Sequence, residues 1–249
     1  SGNISASGTV YADAFNSVTG GTAIDFNDNI DLAGNLTLSG YVSAKNGYCS
    51  DTDNNTFFGN AALCSITTGS GTNNTGLGDR ALCSTTTGDN NVGVGHKALM
   101  ANTTALFNNA VGACALLSNE TGACNTAIGG LALASNTSGE INTAIGHQSL
   151  TSNTTGRYNT AVGSWRALYC NTTGCSLVAV GHGAMCFNTS GDNNVAVGFV
   201  ALRNNTTACN NIAVGYRSLY SNTTGATNTA LGTESLYSNT TANNNTAVG

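Results

Sequence analysis

The sequence predicts an all-β fold, in which a small N-terminal β module precedes a parallel β-solenoid of about eleven 17-residue coils. Variants of the motif Asn159-Thr160-Ala161-Val162-Gly163 recur along the chain at intervals of 17 to 19 residues. An apolar residue comes before each motif glycine, and a second apolar residue follows the glycine four positions later. A unit of this length is too short for a strand, a helix and two loops. It suits two short strands and two tight turns, which together form one coil of a solenoid.

Residues 1–50 lie outside the repeat, and we expect them to form a β module that serves as a cap or assembly segment. Residues 8–12 and 35–42 alternate apolar and polar side chains, as half-buried strands do. Asp25, Asp28 and Asp31 are the closest set of carboxylates in the chain. Such a set would suit a calcium ion, but a plain polar turn is the interpretation we favour. The repeat region then occupies residues 51–249.

Two apolar columns define the predicted core of the repeat region. The residue before the motif glycine, such as Val162, is apolar in all twelve units, and we predict that it points inward. Val162→Asp would then bury an unpaired charge. Ala161 would point outward, where a recurring small residue favours close approach by another chain; the alternative is that alanine merely permits a narrow coil. The motif glycines are Gly59, Gly78, Gly95, Gly112, Gly129, Gly146, Gly163, Gly181, Gly198, Gly215, Gly232 and Gly249.

Two asparagines recur in each unit. The first lies four residues before the motif glycine in eleven of twelve units, with Leu177 as the exception, and stacked coils would align these amides in a ladder. The second opens an Asn-Thr-Thr-Gly segment or a close variant, which is typical of a tight turn. This segment also matches the Asn-x-Ser/Thr acceptor pattern for glycans, although turn chemistry alone explains it. The nine candidate acceptors are Asn102, Asn119, Asn136, Asn153, Asn171, Asn188, Asn205, Asn222 and Asn239.

The chain has nine cysteines, which are either small buried residues or disulfide partners. We favour disulfides, because the repeat places Cys64 and Cys83 at one position of successive coils, within bridging distance. Cys170 and Cys186 are similarly close once the extra residue of the seventh unit is allowed for. Disulfides would indicate an oxidising, extracellular location.

The seventh unit carries its extra residue in Ser164-Trp165-Arg166, which includes the only tryptophan. Insertions in solenoids lie in loops on one face, often a binding face. Trp165 and Arg166 are therefore a candidate contact site, although a tolerated insertion is the more common explanation. Tyr158, Tyr169, Tyr220 and Tyr237 would add further contacts to sugars or proteins.

Composition excludes several classes of function. Only 8% of residues are charged, and the net charge is −5 with seven basic residues. Nucleic-acid binding requires clusters of Lys and Arg, so none is expected. No apolar run approaches the ~20 residues of a membrane span. The three histidines, His96, His147 and His182, are scattered, and no CxxC, nucleophile elbow or phosphate loop occurs. We therefore expect no enzyme activity, catalytic residue, cofactor or metal site.

Tandem units such as Asn142-Thr143-Ala144-Ile145-Gly146 resemble the head repeats of YadA-like trimeric autotransporter adhesins, and similar repeats occur in predicted phage tail-fibre proteins. The resemblance covers roughly residues 51–249. It implies a left-handed parallel β-roll, three chains side by side, and an exposed location on a cell surface or virion.

These observations predict a non-enzymatic structural protein of an extracellular fibre, surface filament or tail-fibre appendage. Its partner would be further copies of itself, as a trimer and as a head-to-tail filament that pairs the open strand edge at Gly249. An adhesin or receptor-binding head that recognises a cell-surface glycan or protein is the alternative. Ice binding is a third hypothesis, disfavoured here because the recurring threonine pairs lie in turns.

Overall fold

The computed structural model describes residues 48–50, 53–67 and 69–249. The chain divides into two compact units, Ser1–Ser39 and Gly40–Gly249, and all described residues belong to the second. The strands predicted at residues 8–12 and 35–42 therefore lie outside the described residues, as do Asp25, Asp28 and Asp31.

The repeat region forms a β-solenoid of about eleven turns of 17 residues, as predicted. Its strands lie in chain order in one 13-stranded sheet. β1 pairs antiparallel with β2, and each later pair is parallel with equivalent residues opposite each other. The strands are β1 (Tyr48–Ser50), β2 (Thr56–Phe58), β3 (Thr75–Leu77), β4 (Val92–Val94), β5 (Asn109–Val111), β6 (Thr126–Ile128), β7 (Thr143–His147), β8 (Thr160–Trp165), β9 (Val178–Val180), β10 (Val195–Val197), β11 (Ile212–Val214), β12 (Thr229–Leu231) and β13 (Thr246–Val248).

Each described coil contains one strand, where two were predicted. The segment around the second apolar column is a run of turns. Gln148 and Leu150 show the reason, because their φ angles of 57° and 54° are left-handed and incompatible with a strand. Neighbouring coils are still hydrogen-bonded here, as the Leu150 N–H donates to the Ala167 carbonyl at 2.9 Å. The turns thus stack with the same regularity as the strands.

The inward and outward sides of the strands are the reverse of the prediction. Ala161 is completely buried, whereas Val162 is only partly buried and Ile128 is 42% exposed. The cause is the narrow interior. Gly93 occupies the alanine position in its coil, and a Cβ there would lie 3.2 Å from Leu82 Cγ. A methyl group therefore fills the space between the sheet and the leucine column, so valine is placed outside.

The motif glycines form a corner that requires glycine. Gly129 has a φ of 130°, and a Cβ on it would lie 2.6 Å from the Gly146 carbonyl oxygen. Stacking at one strand spacing thus excludes a side chain at this position. Gly163 departs from this left-handed conformation because its coil holds the extra residue. The register shift makes Trp165, not Ser164, the partner of His147.

The asparagine four residues before the motif glycine forms the predicted ladder inside the solenoid, which we call the strand ladder. The backbone N–H of Asn142 donates to Asn125 Oδ1 at 3.0 Å. Asn142 Nδ2 donates to the same oxygen at 3.1 Å and to the Gly156 carbonyl at 2.9 Å. Leu177 interrupts this ladder and is itself buried, although its N–H still donates to Asn159 Oδ1 at 3.0 Å.

The second asparagine, for which the sequence predicts only a tight turn, forms another buried ladder, here called the turn ladder. Asn153 Nδ2 donates to Asn136 Oδ1 at 2.8 Å and to the Gly156 carbonyl at 3.0 Å. Asn153 Oδ1 accepts from Asn171 Nδ2 at 2.9 Å. Both ladders therefore converge on the Gly156 carbonyl. The interior consists of alanine and leucine columns beside two columns of hydrogen-bonded amides.

Candidate functional site

The outward side of the strands forms a long uncharged surface, which we call the sheet face. It consists of the first and third residues of β2–β7 and β9–β13, with Thr160 and Val162 of β8. The third residues are all apolar, and seven of the twelve first residues are threonine. The first residues are Thr56, Thr75, Val92, Asn109, Thr126, Thr143, Thr160, Val178, Val195, Ile212, Thr229 and Thr246; the third are Phe58, Leu77, Val94, Val111, Ile128, Ile145, Val162, Val180, Val197, Val214, Leu231 and Val248.

The sheet face exposes much of this apolar surface. Ile212 is 44% exposed and Leu231 is 47% exposed. Eleven strand intervals of about 4.8 Å give the face a length of about 53 Å. Phe107, Ile141 and Tyr158, each two positions before a strand, extend the exposed apolar surface in the middle coils. Contiguous apolar surface on this scale is typical of an interaction site.

A second feature is a column of aromatic side chains directly after the glycine corner. Trp165, His182, Phe199 and Tyr216 occupy one position of four successive coils. The ring centroids of His182 and Phe199 lie 5.0 Å apart, and those of Phe199 and Tyr216 lie 5.8 Å apart, in both cases stacked. Trp165 and His182 are tilted, at 5.6 Å. Trp165 and His182, the first two residues of this column, line a surface cleft, which we call the Trp165 cleft.

Two arginines border the Trp165 cleft. Arg166 lies over Trp165 at 4.4 Å and over Tyr169 at 4.6 Å from the ring centroids, and its Nε donates to Gln148 Oε1 at 3.1 Å. Arg203 lies 4.7 Å from the ring centroid of Phe187. These cation–π contacts hold the guanidinium groups in place. The cleft is lined by Trp165, Arg166, His182, Gly183, Cys186, Phe187, Val200 and Arg203.

The structure brings together only some of the aromatic residues singled out from the sequence. Arg166 contacts both Trp165 and Tyr169. Tyr220 and Tyr237 stack on each other at 5.2 Å, and Tyr158 is exposed beside the sheet face. His182, Phe187, Phe199, Arg203 and Tyr216 were missed. The signal was present, because residues 182, 199 and 216 follow each other at intervals of one repeat.

Cys64 and Cys83 are the cysteine pair that the fold brings into direct contact. Their sulfur atoms lie 2.6 Å apart as free thiols, and no disulfide joins the described cysteines. Burial, together with the hydrogen bond and charge of Cys64, raises the pKa of Cys83 to about 11. Cys170 and Cys186 are neighbours through their backbones, with a Cys170 N–H to Cys186 O bond of 2.9 Å.

We expect Cys64 and Cys83 to form a disulfide when the protein is treated with oxidised glutathione. Cys64 would displace one glutathione to form a mixed disulfide, and the Cys83 thiolate would displace the second. The second step should be faster at about pH 9 than at about pH 7, because the raised pKa leaves little Cys83 thiolate at neutral pH. Closing this loop should stabilise the chain by about 3 kcal/mol.

Peptide mapping without reduction measures this outcome. A Cys64–Cys83 cross-linked peptide that is lost in Cys83→Ser confirms the pair. Cys124→Ser is the matched control, because Cys124 is an exposed thiol elsewhere in the chain. Persistence of both free thiols after exhaustive oxidation would show that the pair does not bridge.

The candidate glycan acceptors lie inside the solenoid. Eight of the nine, from Asn102 to Asn222, are completely buried. In Asn153 both Nδ2 hydrogens are used in bonds within the turn ladder. A glycan on that nitrogen would have to replace them, so the folded coils do not offer these eight residues as acceptors. Asn239, in the last complete turn, is only partly buried.

Among the residues that the structure describes, no group of three or more His, Cys, Asp or Glu is placed to hold a metal ion. In the same part of the chain, no helix is long and apolar enough to cross a membrane. Neither protein-family models, curated protein sequences nor solved structures show a significant match to this chain. The resemblance to YadA-like head repeats thus remains a prediction from the quoted motifs.

Proposed function

We propose that this chain is a non-enzymatic structural protein of an extracellular fibre, surface filament or virion appendage, whose copies associate through the sheet face. The observation that carries this proposal is that the sheet face has no charged residue among its 24 positions, two in each of twelve successive strands. Removing the apolar side chains of the sheet face from water lowers the free energy in proportion to the apolar area that is buried. A rod of stacked coils supplies the length and stiffness that a fibre needs.

A second copy of the same chain is the partner that this surface suits best. The outward residues of neighbouring strands are in exact register, so ridges and grooves recur at the strand spacing of about 4.8 Å. A surface with the same period is complementary to it along its whole length. Because the sheet face carries no charge, it cannot select a different protein through complementary charges. The family resemblance implies three chains side by side, and in our proposal their sheet faces meet in this trimer.

The experiment is to place charges on the sheet face. Val180 and Val197 are outward residues of adjacent strands, and we expect V180K/V197K to convert the assembled protein into monomers. Light scattering after size-exclusion chromatography would measure the mass, with three subunits expected for the unmodified chain. The control is T173K/S190K, which adds the same charge at two exposed turn residues. A monomeric unmodified chain at all accessible concentrations would contradict the proposal.

Ice binding is a second candidate that one observation favours. Besides the threonine pairs in the turns, threonine also occupies outward strand positions, as in the successive strands at Thr126, Thr143 and Thr160. These hydroxyl groups alternate with apolar side chains in a regular array. Thermal hysteresis of the unmodified chain would support this function, and its loss in V180K/V197K would assign it to the sheet face. Absence of hysteresis would exclude it.

A further inference from the structure

The Trp165 cleft exists because one coil lacks a side chain. Gly183 occupies a left-handed position, with a φ of 63°, at which other coils carry Leu131, Gln148 or Arg217. Its absence of a side chain leaves a space between Arg166 on the preceding coil and Val200 on the next. The resulting cleft is open to solvent and has a volume of about 130 Å³. This is smaller than the roughly 300–1,000 Å³ of sites that enclose a drug-sized ligand, so the cleft suits a single small unit that stays partly in solvent.

The cleft is positively charged in a chain that is negatively charged overall. Two of the seven basic residues, Arg166 and Arg203, line it, and no acidic residue does. The ion pairs in the described part of the chain are His96–Asp79, Arg157–Glu140 and Arg217–Glu234, so neither cleft arginine has a carboxylate partner there. Both guanidinium groups lie near the Cys186 thiol; burial and the neighbouring Cys170 raise the pKa of this thiol above its ordinary value, and the two arginines only partly offset that rise.

The remaining walls are aromatic or carry a polar group without a partner. Trp165 and Phe187 are 41% and 39% exposed, and an arginine lies over each ring, Arg166 over Trp165 and Arg203 over Phe187. His182 also lines the cleft, and its Nδ1 is buried without a hydrogen-bond partner in the described chain. A buried polar atom of this kind costs free energy unless a ligand or water satisfies it.

We propose that the Trp165 cleft binds an acidic sugar, that is, a pyranose unit bearing one carboxylate or sulfate group. The apolar C–H face of the ring would pack against the part of Trp165 or Phe187 that the arginines leave exposed, and the anion would accept hydrogen bonds from Arg166 and Arg203. This site lies beyond the glycine corner, outside the two columns of the sheet face, so it does not depend on association of the copies.

A sugar with a single charge fits the cleft better than a nucleic acid does. A polynucleotide needs a row of cations along its phosphates. Here the two arginines without a carboxylate partner lie in one cleft, and the chain has a net charge of −5. Aromatic faces without cations would suit a neutral sugar equally well. The arginines therefore specify the acidic class.

Trp165 provides the measurement, because it is the only tryptophan of the chain and lines the cleft. The full chain would be titrated with glucuronic acid, galactose 6-sulfate and neutral glucose while tryptophan fluorescence is followed. We expect saturable changes with at least one acid, at least tenfold weaker binding of glucose, and weaker binding at high salt. The acid that binds more tightly identifies the anionic group. Equal binding of all three sugars, or no saturation by about 10 mM of either acid, would overturn the proposal.

Two variants test whether a loss of sugar binding comes from the cleft itself or from a general effect on folding. Leu131 shows that leucine adopts the required conformation at the equivalent position, with a φ of 60°. Gly183→Leu therefore fills the space once Val200 shifts slightly, since a Cβ on Gly183 would lie 3.1 Å from Val200 Cγ1, and we expect it to abolish binding. Arg203→Gln should weaken the binding of the acidic sugar at least tenfold and leave the weak binding of glucose unchanged. Arg157→Gln is the control, because Arg157 pairs with Glu140 away from the cleft. Unchanged affinity in Gly183→Leu, with melting like that of the unmodified chain, would place the ligand elsewhere and contradict the proposal.

Discussion

Replacing Ala161 by aspartate should unfold the middle coils of the solenoid, whereas the same change at Val162 should leave the free chain almost as stable as before. Ala161 is completely buried between two alanines of neighbouring strands, Ala144 and Ala179. No cationic side chain lines this column, so the new carboxylate would be buried without a partner. The expected cost is about 3–5 kcal/mol. Val162 points outward, and a carboxylate there keeps contact with water.

Thermal denaturation followed by circular dichroism, at a concentration low enough to keep the chain monomeric, compares the two variants. Ala161→Asp should melt at a clearly lower temperature or show an early partial transition, because each coil contacts only its neighbours. Val162→Asp should change the free energy of unfolding by less than about 1 kcal/mol and should instead weaken association through the sheet face. Equal destabilisation by the two substitutions would refute the assignment of the strand sides.

The reversal at Ala161 and Val162 shows which part of the fold the sequence could predict. The period, the parallel stacking and the strand position follow from the recurrence of Ala161-Val162-Gly163 and needed no knowledge of packing. Hydrophobicity alone then assigned the larger apolar residue to the interior. The narrow interior instead requires the smaller residue inside, because a Cβ at the alanine position already lies close to the leucine column. The residues of the leucine column, such as Leu150, lie in left-handed turns, and this conformation is not a usual one for leucine.

The candidate sites were predictable to the extent that they follow the repeat. Trp165 and Arg166 were identified through the extra residue in their unit. The depth of the cleft depends on Gly183, which a sequence full of turn glycines gives no reason to single out. Cys64 and Cys83 were paired correctly as neighbours because stacking brings residues one repeat apart together. The burial of the turn asparagines was missed, because Asn-Thr-Thr-Gly is also common in exposed turns.

Asn153→Ala should destabilise the solenoid by about 2–4 kcal/mol, which is the second large effect that we expect. The substitution removes the donor to Asn136 Oδ1 and one of the acceptors of Asn171 Nδ2, both in a fully buried column. An unsatisfied buried polar atom costs about 1–3 kcal/mol, and the lost side-chain volume adds to this cost. The Gly156 carbonyl keeps its bond from Asn142 Nδ2, so the damage should stay local.

Thr155→Ala is the matched control for this prediction, because it separates the turn ladder from glycosylation. Thr155 is exposed, and its loss destroys the Asn153-Thr154-Thr155 acceptor pattern without changing any bond of Asn153. If the asparagine acts through the turn ladder, Asn153→Ala should lower the melting temperature of protein made in bacterial and in glycosylating cells alike, and Thr155→Ala should be silent in both. If a glycan at Asn153 stabilises the chain, the two variants should behave alike, and only in protein from glycosylating cells. Because both Nδ2 hydrogens of Asn153 are already used inside the coil, we expect the first result, with an intact mass at this unit equal to that of the bare sequence.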